Sequence, residues 1–209
     1  MNNPNKQAEI KWFLHLNKIG LFGLVETKVK IHQFDSVLNN LGQHWQGVNN
    51  NMHHPGGRVW VIWAPHMFKV QVIDCSSQQI TSEITEIVTG DRFYFTVVYG
   101  FNEESSRTQL WSEMQHIKDH NSLPWCICGD FNVVLNYSER LGSPVSGEEI
   151  ADFRQCVDYC DIMDIQAQGA FFTWNNKQDP STRVFSRLDR CMITEDWMQL
   201  YPDSYAYTL

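Results

Sequence analysis

Read from the first residue, the alternation of apolar and polar positions opens as a helix. Asn3 is a cap, Pro4 suits the first helical position, and Ala8, Trp12, Phe13 and Leu16 recur on one face. Residues 19–25 form a nearly continuous apolar run that turns polar at Glu26-Thr27-Lys28, the pattern of a short buried strand. A short helix is expected over 31–41, and His53-His54-Pro55-Gly56-Gly57 is a turn. Residues 59–63, 70–75, 79–87 and 92–99, rich in β-branched and aromatic side chains, read as successive strands. Residues 103–120 carry Leu110, Met114 and Ile117 at helical spacing, and Pro124 precedes a strand over 125–128. The second half gives a loop over 136–147, a helix over 148–160, strands near 171–174 and 184–189, a short helix over 195–200 and a strand opening at 204–207. Strands in meanders, mixed with helices that return across them, predict α/β layers with mostly antiparallel sheets at the centre.

Composition narrows this to a globular chain. With 209 residues, 43% hydrophobic and 13% aromatic, it can bury one sizeable core, and its length favours a single domain over 1–209. Eight Trp and twelve Phe beside only 19% charged residues exclude a disordered chain. The net charge of −8, without a Lys/Arg block, removes the broad attraction that dominates non-specific nucleic-acid binding, so any DNA contact is local. An acidic balance suits carboxylates gathered around a cation, and equally an ordinary acidic protein. The six cysteines lack the paired spacing of structural zinc; Cys126 and Cys128 alternate onto one strand face, and free thiols in a reducing compartment are expected. No apolar leader opens the chain and no run approaches the ~20 residues that span a bilayer, so neither secretion nor membrane insertion is expected.

Candidate chemistry collects at strand ends. Gly129-Asp130-Phe131-Asn132 follows a buried strand, where a carboxylate and an amide oxygen are hard ligands for Mg²⁺ or a holder for an attacking water; the same residue types also make plain turns. Glu26 ends another apolar strand, either emerging into solvent or serving a site. Tyr99 ends a third, where its hydroxyl can donate to a phosphate oxygen or simply pack at the sheet edge. Asp189, in Ser186-Arg187-Leu188-Asp189-Arg190, is a further acid, or half of a surface ion pair with Arg187 or Arg190.

In this order and at these intervals, Leu24-Val25-Glu26-Thr27-Lys28, Gly129-Asp130-Phe131-Asn132 and Arg187-Leu188-Asp189-Arg190 resemble the endonuclease/exonuclease/phosphatase family. Trp60-Val61-Ile62-Trp63, Phe172-Thr173-Trp174-Asn175-Asn176 and Ser186 to Arg190 are similar to the apurinic-endonuclease-like domain of plant LINE-type (non-LTR) retrotransposons. The resemblance covers essentially the whole chain. It implies a four-layered αββα sandwich of the DNase I-like type, with a Mg²⁺ or Mn²⁺ site, that hydrolyses a DNA phosphodiester. It implies that Glu26 binds the metal, Asp130 activates the attacking water, Asn132 holds that water or the phosphate, Tyr99 stabilises the phosphate, and Asn176 and Arg187 contact substrate. Asp189 would support a histidine, fixing its tautomer and charge. The family places that histidine in a Ser-Asp-His segment after the Arg-Leu-Asp element, and opens on a strand ending in a metal-site Asn. Neither motif occurs within residues 1–209, so the resemblance implies a chain incomplete at both termini and weak or inactive in this form. It further implies a monomer or a fragment of a polyprotein with reverse transcriptase, with DNA as partner, in the nucleus or cytoplasm. A non-catalytic retroelement remnant and a small-molecule phosphoester hydrolase on the same fold are the alternatives.

Overall fold

In the computed structural model, which describes residues 1–209, the first helix α1 (Pro4–Leu16) starts where the sequence places it. Asn3 Oδ1 accepts from the Asn5 backbone N–H at 2.9 Å, and Pro4 occupies the first turn, where its missing N–H costs nothing. The face that α1 buries differs from the one its apolar spacing names: Leu14 and Gln7 are buried, whereas Trp12, Phe13 and Leu16 are exposed. A polar anchor selects that face. Gln7 donates to the Met1 carbonyl at 2.8 Å and accepts from Asn40 at 3.0 Å.

There follow β1 (Leu21–Leu24), a 3-10 turn (Ile31–Gln33), α2 (Phe34–Leu41), β2 (Gln46–Asn49), β3 (Trp60–Trp63), β4 (Phe68–Cys75), β5 (Gln79–Glu86) and β6 (Arg92–Tyr99), completing a first compact unit, Met1–Tyr99. β3 lies between β1 and β2, antiparallel to both, and β4, β5 and β6 form an antiparallel meander. Phe34, Val37, Leu38 and Leu41 fall on one face of α2 and close over Val29, Trp60 and Ile62. Each such fully buried side chain contributes about 1.5–3 kcal/mol. Gly23 permits a close approach in this unit: a Cβ there would stand 2.5 Å from Val97 Cγ2, so only a residue without one lets β1 lie against β6.

The second unit, Gly100–Leu209, contains α3 (Glu104–His120), β7 (Trp125–Asp130), β8 (Arg140–Leu141), α4 (Gly147–Cys160), β9 (Ile162–Asp164), β10 (Ala167–Gly169), β11 (Trp174–Asn175), β12 (Phe185–Ser186), β13 (Asp189–Thr194), α5 (Glu195–Leu200) and β14 (Ala206–Thr208). β13 is central, antiparallel to β7 on one side and β9 on the other. β12 pairs antiparallel with β11 and β8, and β10 pairs parallel with β14. α3 and α4 meet through an aromatic stack in which Phe153 lies 4.8 Å from Trp111 and 5.0 Å from Phe131.

Several boundaries differ from the sequence reading. β2 and β10 are too short and too polar to announce themselves by alternation. The strand expected at 171–174 is reduced to Trp174–Asn175. The one expected over 184–189 is two strands, broken at Arg187-Leu188, because the chain there leaves β12 and joins β7 as β13. β7 runs two residues further than expected, so Asp130 is still in the ladder. All six cysteines are free thiols; Cys126, Cys156 and Cys160 are buried and the other three half-buried. No helix is long and apolar enough to cross a membrane.

Candidate active site

In the first unit, Glu26 lies just past β1, and its backbone is left-handed at φ 52°. A non-glycine residue takes that conformation only when its neighbours hold it there. They do: Thr27 is buried, its hydroxyl donates to the Gly57 carbonyl at 3.1 Å, and the Lys28 N–H donates to the same oxygen at 3.1 Å. Tyr99, the last residue of β6, donates its hydroxyl to Glu26 Oε1 at 2.6 Å, the short length of a hydrogen bond to an ionised acceptor. That bond is the main reason the Glu26 carboxyl titrates below its ordinary value; partial burial opposes it, and Lys28, whose Nζ is 3.6 Å away, assists. The Arg58 guanidinium sits 5.2 Å over the Tyr99 ring. Of the sequence alternatives, packing alone therefore does not describe Tyr99, nor simple emergence into solvent Glu26.

In the second unit, the Gly129-Asp130-Phe131-Asn132 run is anchored from the inside. Phe131 is wholly buried in the α3–α4 aromatic stack, so its two flanking residues are held at the surface end of β7. Asp130 Oδ1 accepts the Asn132 N–H at 2.8 Å, and Asn132 takes a left-handed backbone at φ 52°. The Asn132 amide nitrogen donates to the Gly100 carbonyl at 2.7 Å, fixing which way its oxygen points. Gly100 has no room for a side chain: a Cβ there would meet the Phe131 carbonyl oxygen at 2.5 Å.

Asp189 is the cross-strand partner of Asp130 in the β13–β7 ladder. Two acids directly opposite one another weaken a sheet, so this placement is a cost that packing does not require. Thr173 holds the second acid in place: its Oγ1 accepts the backbone N–H groups of Leu188 and Asp189, each at 3.0 Å. The residue is solvent-accessible, yet protein around its carboxyl desolvates it and raises its pKa, with the Thr173 hydroxyl bond working in the opposite direction.

The ion-pair alternative for Asp189 is overturned. Its arginine neighbours turn to other partners: Arg190, with no exposed side-chain surface, pairs with Glu139 and lies 2.7 Å from Asp164 Oδ2, while Arg187 lies 3.2 Å from Asp164 Oδ1 and 3.8 Å from Glu139 Oε1. Glu139 also accepts the Leu135 and Asn136 N–H groups at 2.6 and 3.1 Å. Burial disfavours its charge, but Arg190 and these donors outweigh burial and hold its carboxyl below the ordinary range. Arg187 thus has its charge matched inside the protein, although it still lines, with Asp189 and Phe171, a cavity of about 440 Å³. Asn176 organises the loop between β11 and β12: its side chain accepts from Val184 and Gln178 and donates to the Thr182 carbonyl.

Glu139, Asp164, Thr173 and Arg58 were not singled out in the sequence. Only Glu139 carried a local signal, since Asn136-Tyr137-Ser138-Glu139 is the spacing of a capping box, which the structure forms. No group of three or more His, Cys, Asp or Glu side chains is arranged to close around a metal ion. Mg²⁺ does not require such a group, since it keeps most of its water and needs only one or two protein carboxylates besides a substrate phosphate. Glu26, ionised and at a strand end, is the residue that fits.

Comparison of the structure with solved proteins finds the same fold repeatedly. The endonuclease domain of TRAS1, a telomere-specific non-LTR retrotransposon, superposes with a TM-score of 0.70 at 12% identity, over 93% of this chain and 81% of that one. The AP endonuclease LMAP from Leishmania major gives 0.70 at 14% identity, over 92% and 75%. A mannosyl-6-phosphatase from Bacteroides thetaiotaomicron gives 0.64 at 14% identity, over 91% and 77%. At these identities the likeness establishes the fold, an α/β sandwich of the DNase I-like type. A search of curated protein sequences finds no match. The Endonuclease/Exonuclease/phosphatase family description matches residues 6–206, nearly the whole sequence and both compact units, and the chain belongs to that family.

Proposed function

We propose that this chain is a Mg²⁺- or Mn²⁺-dependent phosphodiesterase domain directed at DNA, of the apurinic-endonuclease-like kind found in plant LINE-type retrotransposons. The observation that carries the reading is the register of Asp130 against Asp189 at the end of β7 and β13, an arrangement costly to a sheet and useful to a hydrolase. The family match across residues 6–206 supports treating both units as one catalytic domain. Two structural relatives named as a retrotransposon endonuclease and an AP endonuclease support DNA as the substrate. The domain acts in the nucleus or cytoplasm, as a monomer or within a polyprotein that carries a reverse transcriptase.

In this mechanism Asp130 takes the proton of the water that attacks phosphorus, while the oriented Asn132 amide holds that water or a phosphate oxygen. The ester P–O bond breaks and the leaving oxygen takes a proton from solvent. Glu26 would hold the cation, whose contribution is to neutralise charge on the phosphate. The Tyr99 hydroxyl has one proton, so donating to a phosphate oxygen means releasing Glu26, which needs that proton least when its oxygens face a cation. Asp189 and Thr173 would orient a histidine; residues 1–209 contain none after His120.

Nicking of supercoiled plasmid in Mg²⁺ tests this reading. Residues 1–209 alone are expected to nick poorly, by a factor of about 10²–10⁴, because a general acid is not among them. Asp130→Asn or Glu26→Gln should abolish the residual nicking. No nicking above a Mg²⁺-free control, or nicking that is equal without Asp130, overturns the proposal. The cavity beside Asp189 favours one second reading, a small phosphoester substrate; turnover of sugar phosphates with plasmid untouched would select it.

A further inference from the structure

We propose that His116 and His120 form a two-imidazole binding site for a borderline divalent metal ion, Cu²⁺, Ni²⁺ or Zn²⁺, on the exposed face of α3. The two residues are one helical turn apart, the spacing that puts side chains beside each other on one face. Their rings are in contact, with centroids 4.2 Å apart and planes at 44°, and both residues are exposed. His120 Nδ1 lies 2.8 Å from the His116 carbonyl oxygen. A carbonyl only accepts, so that nitrogen carries the proton and Nε2 keeps its lone pair directed away from the backbone. Metal-bound histidines use this same device, in which the second ring nitrogen donates to a carbonyl or carboxylate and fixes tautomer and orientation before the ion arrives.

The obvious structural explanation is that His120 satisfies a carbonyl in the last turn of α3. It accounts for the hydrogen bond but not for the second imidazole brought against the first. The nearby acids have partners of their own: Glu113 accepts from Gln109 at 2.8 Å and Asp119 from the Tyr159 hydroxyl at 2.9 Å, while Lys118 is the nearby cation on the helix. Two imidazoles prefer Cu²⁺, Ni²⁺ and Zn²⁺ over Mg²⁺, which takes oxygen ligands, so this site and the Glu26 carboxylate select different ions. Water completes the coordination.

The test is calorimetric titration of residues 1–209 with NiCl₂ or CuCl₂ in excess Mg²⁺, beside His116→Ala and His120→Ala. One dominant equivalent is expected, weakened about ten- to a hundredfold by either substitution, together with slower amide exchange along α3 when Ni²⁺ is present. Both side chains are exposed, so circular dichroism should show the variants folded as the parent. The six other histidines supply the control: affinity that stays within about twofold in both variants, with α3 exchange unchanged, overturns the site. That result leaves the plasmid-nicking proposal untouched, as failure there leaves this one.

Discussion

At the scale of single residues, Asp189 is informative because its environment works against its charge. A carboxyl whose folded pKa is raised favours the folded state fully below its ordinary value of 3.8 and loses that contribution as pH rises through the folded pKa. Asp189→Asn should therefore melt at a higher temperature than the parent at pH 7, with the difference closing toward pH 3, measured by thermal denaturation across pH. The sequence reading had this acid in one motif and Thr173 in another, with nothing to join them; the structure brings the Thr173 hydroxyl to the Asp189 N–H across sixteen positions. A contact of that separation leaves no periodic trace. Asp130, Asn132, Glu26 and Tyr99 were legible because each follows an apolar run, and a polar residue at the end of a buried strand has few places to go.

Among the elements, the β7–β13 pair carries the second unit's site, and the arginines flanking Asp189 lock β13 to the rest of it. Arg190 and Glu139 are both buried, and removing one partner of such a pair leaves an uncompensated charge costing about 3–5 kcal/mol. Glu139→Ala should show that loss in guanidinium unfolding. The parent should also lose stability in acid, since a depressed carboxyl stabilises the fold above its ordinary value of 4.5 and ceases to do so as pH falls through its folded value. The helices were readable: those expected over 31–41, 103–120 and 148–160 stand in the structure as α2, α3 and α4, the last with a Ser146 cap that the sequence reading had not named. α1 was found for the right reasons and turned the wrong way, because a buried Gln7 outranked exposed Trp12 in setting its face. Of the strands of two to four residues, β1 and β3 were readable from continuous apolar runs, whereas β2, β8, β9 and β10 were missed, since so few and mostly polar positions leave no alternation to read.

For the whole molecule, the net charge of −8 limits the proposed contact with DNA to a local one. Affinity that rests on few phosphate contacts falls gently with salt, so the slope of log K against log salt should be no steeper than about −3 in filter binding to duplex DNA. A slope near −6 would mean a basic surface that the sequence does not contain. The fold class and family were legible because several motifs recur in one order over nearly the full length, and independent coincidences of that kind multiply. What was not legible is how each motif is held.

The hydrogen bond from the Asn132 N–H to Asp130 Oδ1 has a consequence for how such a sequence ages. The residue that would activate water also closes its own turn, and that second duty continues if the first is lost. A chain released from any catalytic duty would still favour an aspartate, or an asparagine, at this position in order to fold. Survival of the motif in a silent copy would therefore record architecture, and only a measurement of chemistry separates a working blade from a well-kept handle.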